Sequence, residues 1–409
     1  MKYRNLLYAS FVLCTPPALA APGDPVKIAD GLTIDPIIEA RLRYELVDQP
    51  TLDADALTLR LRAGFELKHV PARLAFLAEV EGTLGIVTDY NAFPFLTADS
   101  QRRPGYSVVA DPMNVELNRI QLQYKSKAVT VTVGRQRINL DDQRWVGAVG
   151  WRQNEQTFDA LRAEAKIGPV SLDATYAIDQ RSIWGIDAGP RQGMDGDHIF
   201  LGAGVKAGPV QLKAFAYLLD YDDTFFTANS SQTYGARAVA AIALTPKAKL
   251  NLAASYARQS DYGSNPFTYS ADYIAAEAST TLAGFTLTGG YELLGSNNGH
   301  AVQTPMATLH KFNGWADLFL TTPNSGLQDI YGGLAYKFGK VKALPGLNAA
   351  VGYHQFDSDV GGVDFGNEWD ASLGFKLGRV NLQAKFADYN AKGFGVDTRK
   401  VWLQAEIAY

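Results

Sequence analysis

The chain has 409 residues, 47% of them in the AVILMFWYC set and 20% charged, with 38 glycines, 20 tyrosines, 20 phenylalanines and a single cysteine. This composition excludes a disordered chain and a disulfide framework. A formal net charge of −4 is too mild to point to nucleic acid, so charge has to be read by position.

Lys2 and Arg4 precede the apolar run Leu6 to Leu13, and Ala18-Leu19-Ala20 supplies small residues for cleavage, so residues 1–20 read as a secretory signal. That leaves 21–409 as one domain with a formal charge of about −6. Cys14 falls inside the signal, and Leu13 stands where a lipoprotein would need a small residue. Beyond it no run approaches the ~18 apolar residues of a membrane helix. If the chain spans a membrane, it does so with strands.

From Ile38 the apolar and polar residues alternate: Ile38, Ala40, Leu42, Tyr44 and Leu46 share one face, and Glu39, Arg41, Arg43 and Glu45 the other. Leu57 to Leu67 repeats the pattern, with Arg60 and Arg62 on the polar side. It recurs at Leu74–Leu84, Ile120–Tyr124, Val129–Val133, Val170–Ile178, Ile199–Val205, Val210–Leu218, Tyr234–Leu244 and Leu250–Tyr256. It continues at Ile274–Leu282, Phe285–Leu293, Ile330–Phe338, Leu347–Tyr353, Trp369–Leu377, Val380–Phe386 and Val401–Tyr409. In Phe158–Ile167 the apolar parity changes between Phe158/Ala160 and Leu161/Ala163/Ala165, which predicts a bulge there.

These segments make eighteen strands, and short and long connections alternate between them. The short ones include Ser126-Lys127, Gly168-Pro169, Gly208-Pro209 and Gly378-Arg379; the long ones reach Gly85 to Asn114 and Gly295 to Gly326. That is the signature of a transmembrane antiparallel β-barrel in a bacterial outer membrane, with tight periplasmic turns and long external loops. The last strand, ending in Tyr409, has the terminal aromatic residue of such barrels. A soluble β-sandwich or β-helix would show no alternation of loop lengths.

Between the strands of Val133 to Ala163 lie Arg135, Arg137, Arg144, Arg152 and Arg162. With Arg41, Arg43, Arg60, Arg62, Arg119 and Arg237, polar by parity, they suggest an arginine-rich lumen offering bidentate hydrogen bonds to carboxylates. The competing reading is that they neutralise lumenal acids such as Glu39, Glu45, Glu66, Glu79, Glu81, Asp173, Glu368 and Asp370. Arg135 and Arg137 share parity with the lipid-facing Val129 to Val133, so they need a twist at Gly134 to face inward. Arg60, Arg62, Arg119, Arg135 and Arg237 are expected to contribute to the narrowest section, with Asp159 and Asp317 orienting them. In HKFNGWADLFL, one or two helical turns are expected. Either Lys311, Trp315, Asp317 and Phe319 there fold inward as a constriction, or Trp315, Leu318 and Phe319 pack the loop on the wall.

The stretches VGRQRINLDDQRWVGAVGWRQNEQTFDALRA and HKFNGWADLFLTTPNSGLQDIYGGLAYKF resemble the alginate-export family of outer-membrane proteins, as does the C-terminal FADYNAKGFGVDTRKVWLQAEIAY. The resemblance runs from about Leu32 to Tyr409 and implies an eighteen-stranded barrel that passes an acidic polysaccharide, with a lumenal Arg135. Family members can also carry a long periplasmic plugging loop; the longest short-side link here is Gly339 to Gly346.

The five histidines show no HExxH or paired metal spacing, and no G-x-S-x-G elbow occurs. Asp220, Asp222 and Asp223 lack a Gly-centred calcium-loop spacing, so no metal or cofactor is expected. The expectation is an outer-membrane channel for hydrophilic anions or an exported acidic polysaccharide, in contact with lipid and with periplasmic export components but not nucleic acid. The alternative within the class is a nutrient-uptake porin for small organic anions or sugars; an outer-membrane enzyme or an adhesin stands outside it.

Overall fold

The computed structural model describes residues 25–96, 100–245, 248–339 and 341–408. The signal segment, Cys14 and Tyr409 lie outside the described residues. The strands are β1 (Val26–Ala29), β2 (Leu32–Asp48), β3 (Asp53–His69), β4 (Leu74–Asp89), β5 (Asn114–Lys125), β6 (Val129–Gln136) and β7 (Thr157–Ile167). Next come β8 (Val170–Arg181), β9 (Gly193–Ala207), β10 (Val210–Tyr221), β11 (Ser231–Thr245), β12 (Ala248–Asp261), β13 (Ser270–Leu282) and β14 (Phe285–Leu294). The last are β15 (Ser296–Asn297), β16 (His300–Ala301), β17 (Leu327–Lys337), β18 (Asn348–Asp357), β19 (Asp364–Leu377), β20 (Val380–Ala391) and β21 (Thr398–Ala408).

Strands β2 to β14 and β17 to β21 form a closed antiparallel barrel of eighteen strands, each paired with its neighbours in sequence. Pairing of β2 with β21, from Glu39↔Ala408 to Asp48↔Arg399, closes it, and closure leaves no free sheet edge in lipid. β1 is an addition that the periodicity does not reveal. It folds back on β2 around Gly31, whose φ of +73° and contact distance of 2.7 Å from a would-be Cβ to Pro71 leave no room for a side chain.

The alternation decides which face is which. Leu61, Leu84, Leu161, Leu287 and Leu403 are each more than half exposed, whereas Arg43, Arg60, Arg62, Glu45, Glu81 and Glu406 are almost wholly buried. An apolar outside and a charged inside is the reverse of a soluble sheet and fits a lipid-immersed wall. Outward tyrosines mark the external rim: Tyr256 donates to Asp272 (2.8 Å), Tyr234 to Gln232 (3.2 Å), and Tyr44 and Tyr176 to Asp55 and Asp197. Such rings put an apolar body in lipid and a hydroxyl in the polar layer. Arginine in place of Leu61, in the middle of β3, should therefore cost about 2 to 4 kcal/mol, measured by denaturant titration in lipid vesicles, and less in place of Leu403, which pairs with the rim residue Tyr44. Equal tolerance of arginine at Leu61 and at the inward Gln404 would contradict this facing.

The expected bulge is present but sits on the neighbouring strand. Register between β7 and β8 slips at Asp159/Ala160, where Asp159 pairs Asp179 and Ala160 pairs Ala177, so the extra residue is Ile178. β7 keeps one parity throughout: Phe158 and Ala160 face inward and are buried, Leu161 faces lipid. Phe158 can face inward because Phe200 of β9 meets it edge-on at 6.1 Å, inside a lumen that is not empty.

Candidate functional site: a constriction made by two inward loops

Two external connections, 137–156 and 295–326, fill the lumen. Ile138, Leu140 and Val146 of the first and Val302, Met306 and Phe319 of the second are buried. The loops are joined by a bridge between Val146 and Met306, by Gly147 N–H donating to Met306 O (2.8 Å), and by Thr308 N–H donating to Gln143 O (3.1 Å). Only one turn of 3-10 helix, Leu309–Lys311, forms in the second loop. The rest of HKFNGWADLFL is irregular, and its side chains both enter the lumen and pack on the wall. Left-handed φ values at Asp141 (49°), Gln143 (71°), β-branched Val149 (52°), Asn313 (55°) and Asp317 (62°) all fall in these loops. Backbone of this kind persists only where its surroundings hold it, and it concentrates at functional sites.

The wall supplies the holding groups. Arg41 Nη1 donates to the carbonyls of Gly150, Trp151 and Arg152 (3.1, 3.0 and 3.1 Å), and Arg43 Nη2 donates to Trp151 O (2.5 Å). On the other side, the Glu368 carboxylate accepts the N–H groups of Trp315 and Ala316 (2.8 Å for the latter). The preceding Gly314, at φ +82°, lies so close that a Cβ there would collide with Glu368.

Arg41, Arg43, Arg60 and Arg62 do face the lumen, but none is free. Arg41 pairs with Glu406 (2.8 Å), Arg43 with Asp111 (3.4 Å), Arg60 with Glu406 (3.0 Å) and Glu39 (3.4 Å), and Arg62 with Glu81, Glu39 (3.4 Å) and Glu155 (3.6 Å). Arg119 pairs with Glu79 (2.6 Å). Within the first loop, burial opposes the charge of Glu155, but Arg137 and Arg62 hold it well below the usual carboxylate range. Arg152 lies between Glu45 (3.2 Å) and Asp317 (2.6 Å). Burial likewise opposes the Asp317 carboxylate, yet His310, Lys400 and Arg152 hold it low.

Arg135 and Asp159, expected in the lumen, lie instead on the outward face. Arg135 pairs in register with Ile120, which is exposed, and keeps the parity of Val133 despite φ +110° at Gly134. It grips Asp159 (2.8 Å) and donates to Leu117 O (3.2 Å), satisfying a carbonyl of β5 beyond the point where β6 ends. The implied lumenal Arg135 is thus corrected: the chain turns inward only after Gln136, when β6 stops.

The remaining two cations meet on the far wall. Arg237 of β11 binds the Asp142 carboxylate (2.7 Å), and Lys311 Nζ donates to Asp142 O (2.8 Å). They line a cavity of about 60 Å³ with Tyr273, Glu277, Phe312 and Trp315. Burial, with Arg237 beside it, lowers the Lys311 ammonium, Asp142 opposing. Asp142, Lys385, His310 and Trp402 were not singled out in the sequence. Lys385 and Trp402 carry inward parity beside Gln383 and Gln404, and that signal was available.

Asp220 accepts Ser264 N–H (2.8 Å) and Asp223 accepts Asp195 N–H (3.1 Å), so both carboxylates close external turns. Among the described residues no group of three or more His, Cys, Asp or Glu is placed to hold a metal.

Comparison with solved structures finds the same fold in outer-membrane proteins. OpdK of Pseudomonas aeruginosa, solved with vanillate, superposes with a TM-score of 0.73 at 16% identity, over 92% of this chain and 98% of that one. OccAB4 of Acinetobacter baumannii gives 0.71 at 13% identity, over 92% and 98%. OpdQ of P. aeruginosa gives 0.67 at 16%, with the same coverage. No curated protein sequence matches the chain. Residues 37–290 match the alginate export family. With a closed barrel, an apolar exterior and a charged interior, the chain belongs to the alginate export family of outer-membrane proteins.

Proposed function

We propose that this protein is an outer-membrane channel for small hydrophilic organic anions, with Arg237 and Lys311 as the groups that meet the solute. The carrying observation is the filled lumen: between the two loops and the wall, these two cations line a cavity of about 60 Å³, room for a side-chain-sized group, and the proposal puts the narrowest section there. Permeation is decided there, so a net-negative protein can still prefer anions when its other acids are paired. Two cations converge on one residue, Asp142, and the aromatic walls of Phe312 and Tyr273 suit an organic anion. The structurally similar OpdK was solved with vanillate, a small aromatic carboxylate. Passage of an acidic polysaccharide draws on the family match, and requires both loops to leave the lumen.

Replacing Arg237 and Lys311 together by Ala should lower the anion-to-cation permeability ratio, most clearly at low salt where screening is weak. Reversal potentials in a salt gradient across planar bilayers read this out, and an unchanged potential would remove both residues from the pathway. Block of single-channel current by small carboxylates, but not by an acidic oligosaccharide, separates uptake from polymer passage.

A further inference from the structure

Both inward loops meet the wall at one side chain. Lys385, on the inward row of β20, places Nζ 3.7 Å from the ring centre of Trp315 and 4.0 Å from that of Trp151, with Trp402 of β21 at 5.4 Å. The same Nζ is 2.6 Å from His310 Nε2. Trp151 belongs to the first loop, and Trp315 and His310 to the second. A single buried ammonium is therefore shared between both loops and the barrel, in a cage of indole faces that attract a cation. His310 stacks on Trp151 at 4.5 Å and 5°, which ties the two loops to each other at the same spot.

The imidazole is poised by its other nitrogen. His310 Nδ1 lies 2.8 Å from Asp317 Oδ1. With Nδ1–H donating to that carboxylate, Nε2 is left as a lone-pair acceptor for the Lys385 ammonium. We propose that Lys385 is the latch that seats both constriction loops, and that uptake of a proton at His310 Nε2 releases it, so that the channel opens in acid. Protonation takes the lone pair that Lys385 uses and sets an imidazolium against an ammonium across the same contact.

The surrounding charges favour release. Facing His310 are Asp317 from its own loop, Arg152 from the other loop, and Lys385 from β20. Behind these stand Asp370 of β19 beside Lys385, Lys400 of β21 at 3.6 Å from Asp317, and Glu45 of β2 at 3.2 Å from Arg152. Arg43 of β2 lies 4.1 Å over Trp151. On the ring itself two cations, Lys385 and Arg152, act against one carboxylate, Asp317, so a further positive charge there is opposed. Burial first, then Lys385 and Arg152, push the His310 imidazole well below its ordinary value, although Asp317 pulls the other way.

The sign follows. A histidine depressed while seated and ordinary, at about 6.5, when the loop is free takes up a proton on release. Seating is intact above about pH 6.5, and the released-to-seated ratio rises by up to about tenfold per pH unit below it. Asp317 contributes only below its ordinary value of about 3.9, and the His310→Gln profile separates the histidine's share from that of the neighbouring Asp370 and Lys385. Small-ion current reports release whatever solute the channel carries, so this test stands apart from the uptake reading.

The experiment measures current through the purified barrel in planar bilayers from about pH 7.5 to about pH 4.5, a span centred near the ordinary histidine value. Wild-type current should rise steeply below the midpoint. His310→Gln, which keeps polar reach without titrating, should be flat across the same span, and Lys385→Met should show raised current at the alkaline end. Heat-modifiable migration on a gel establishes that each barrel is folded, and if Lys385→Met does not fold, His310→Gln decides. A flat wild-type profile, or an acid rise undiminished in His310→Gln, would overturn the latch.

Discussion

Replacing Arg62 by Ala is expected to destabilise the barrel by about 3 to 5 kcal/mol, the cost of leaving buried charges without their partner. Arg62 is almost wholly buried and holds Glu81, Glu39 and Glu155 together. These carboxylates come from β4, β2 and the first inward loop, so one guanidinium joins two wall strands to the constriction. Arg60 shares Glu39 but is already committed to Glu406 at 3.0 Å. Without Arg62 the three acids would crowd one another with little water to screen them. Arg135→Ala is the control: its pair with Asp159 is part-exposed on the outer face, and such a pair contributes about 1 kcal/mol or less. Guanidinium titration in detergent micelles compares the two. Equal midpoints would mean that the lumenal network is soft and water-filled.

The wall was legible in the sequence and the plug was not, for a physical reason. Facing along a strand follows from period two, which is local: Leu59, Leu61 and Leu403 could be assigned to lipid, and Arg41, Arg43, Arg60 and Arg62 to the lumen, from neighbours a residue or two away. Alternating connection lengths then gave the strand number and the two ends. Parity misleads where an inward residue is apolar. Phe158 reads as a change of face because apolar normally means lipid here, yet it meets Phe200 inside a lumen filled by loops. Arg135 misleads in the opposite sense, as a charge that keeps the outward parity of Val133 and closes a carbonyl where β6 ends. Nothing periodic brings Trp151, His310 and Trp315 to Lys385. Their meeting depends on irregular backbone in two loops far apart in sequence, supported by wall carboxylates and guanidinium groups.

Excising the tip of the second loop, Thr308 to Phe319, and joining the ends with a short Gly-Ser link should have the largest effect on conduction. The tip supplies Trp315 and His310 to Lys385, Asp317 to Arg152, and Lys311 to the constriction. Its removal takes apolar and polar plugging groups out of the lumen together. Asn313, which donates to Glu292 (2.8 Å) and Asp329 (3.2 Å), goes with it, opening to water two acids that Arg144 (2.8 Å) and His354 (3.0 Å) still hold. Single-channel conductance should rise several-fold, and anion preference should fall, because newly exposed acids of β14, β17 and β19 would line the widened section while Lys311 is gone. The barrel should stay closed, since β14 and β17 pair over Phe285↔Tyr336 to Leu294↔Leu327 without help from the tip. The first loop retains its own anchors at Arg41 and Arg43, so conductance should remain below that of a loop-free barrel. Unchanged conductance with a folded, heat-modifiable barrel would place the narrowest section elsewhere, and Arg237 would lose its claim to the solute along with Lys311.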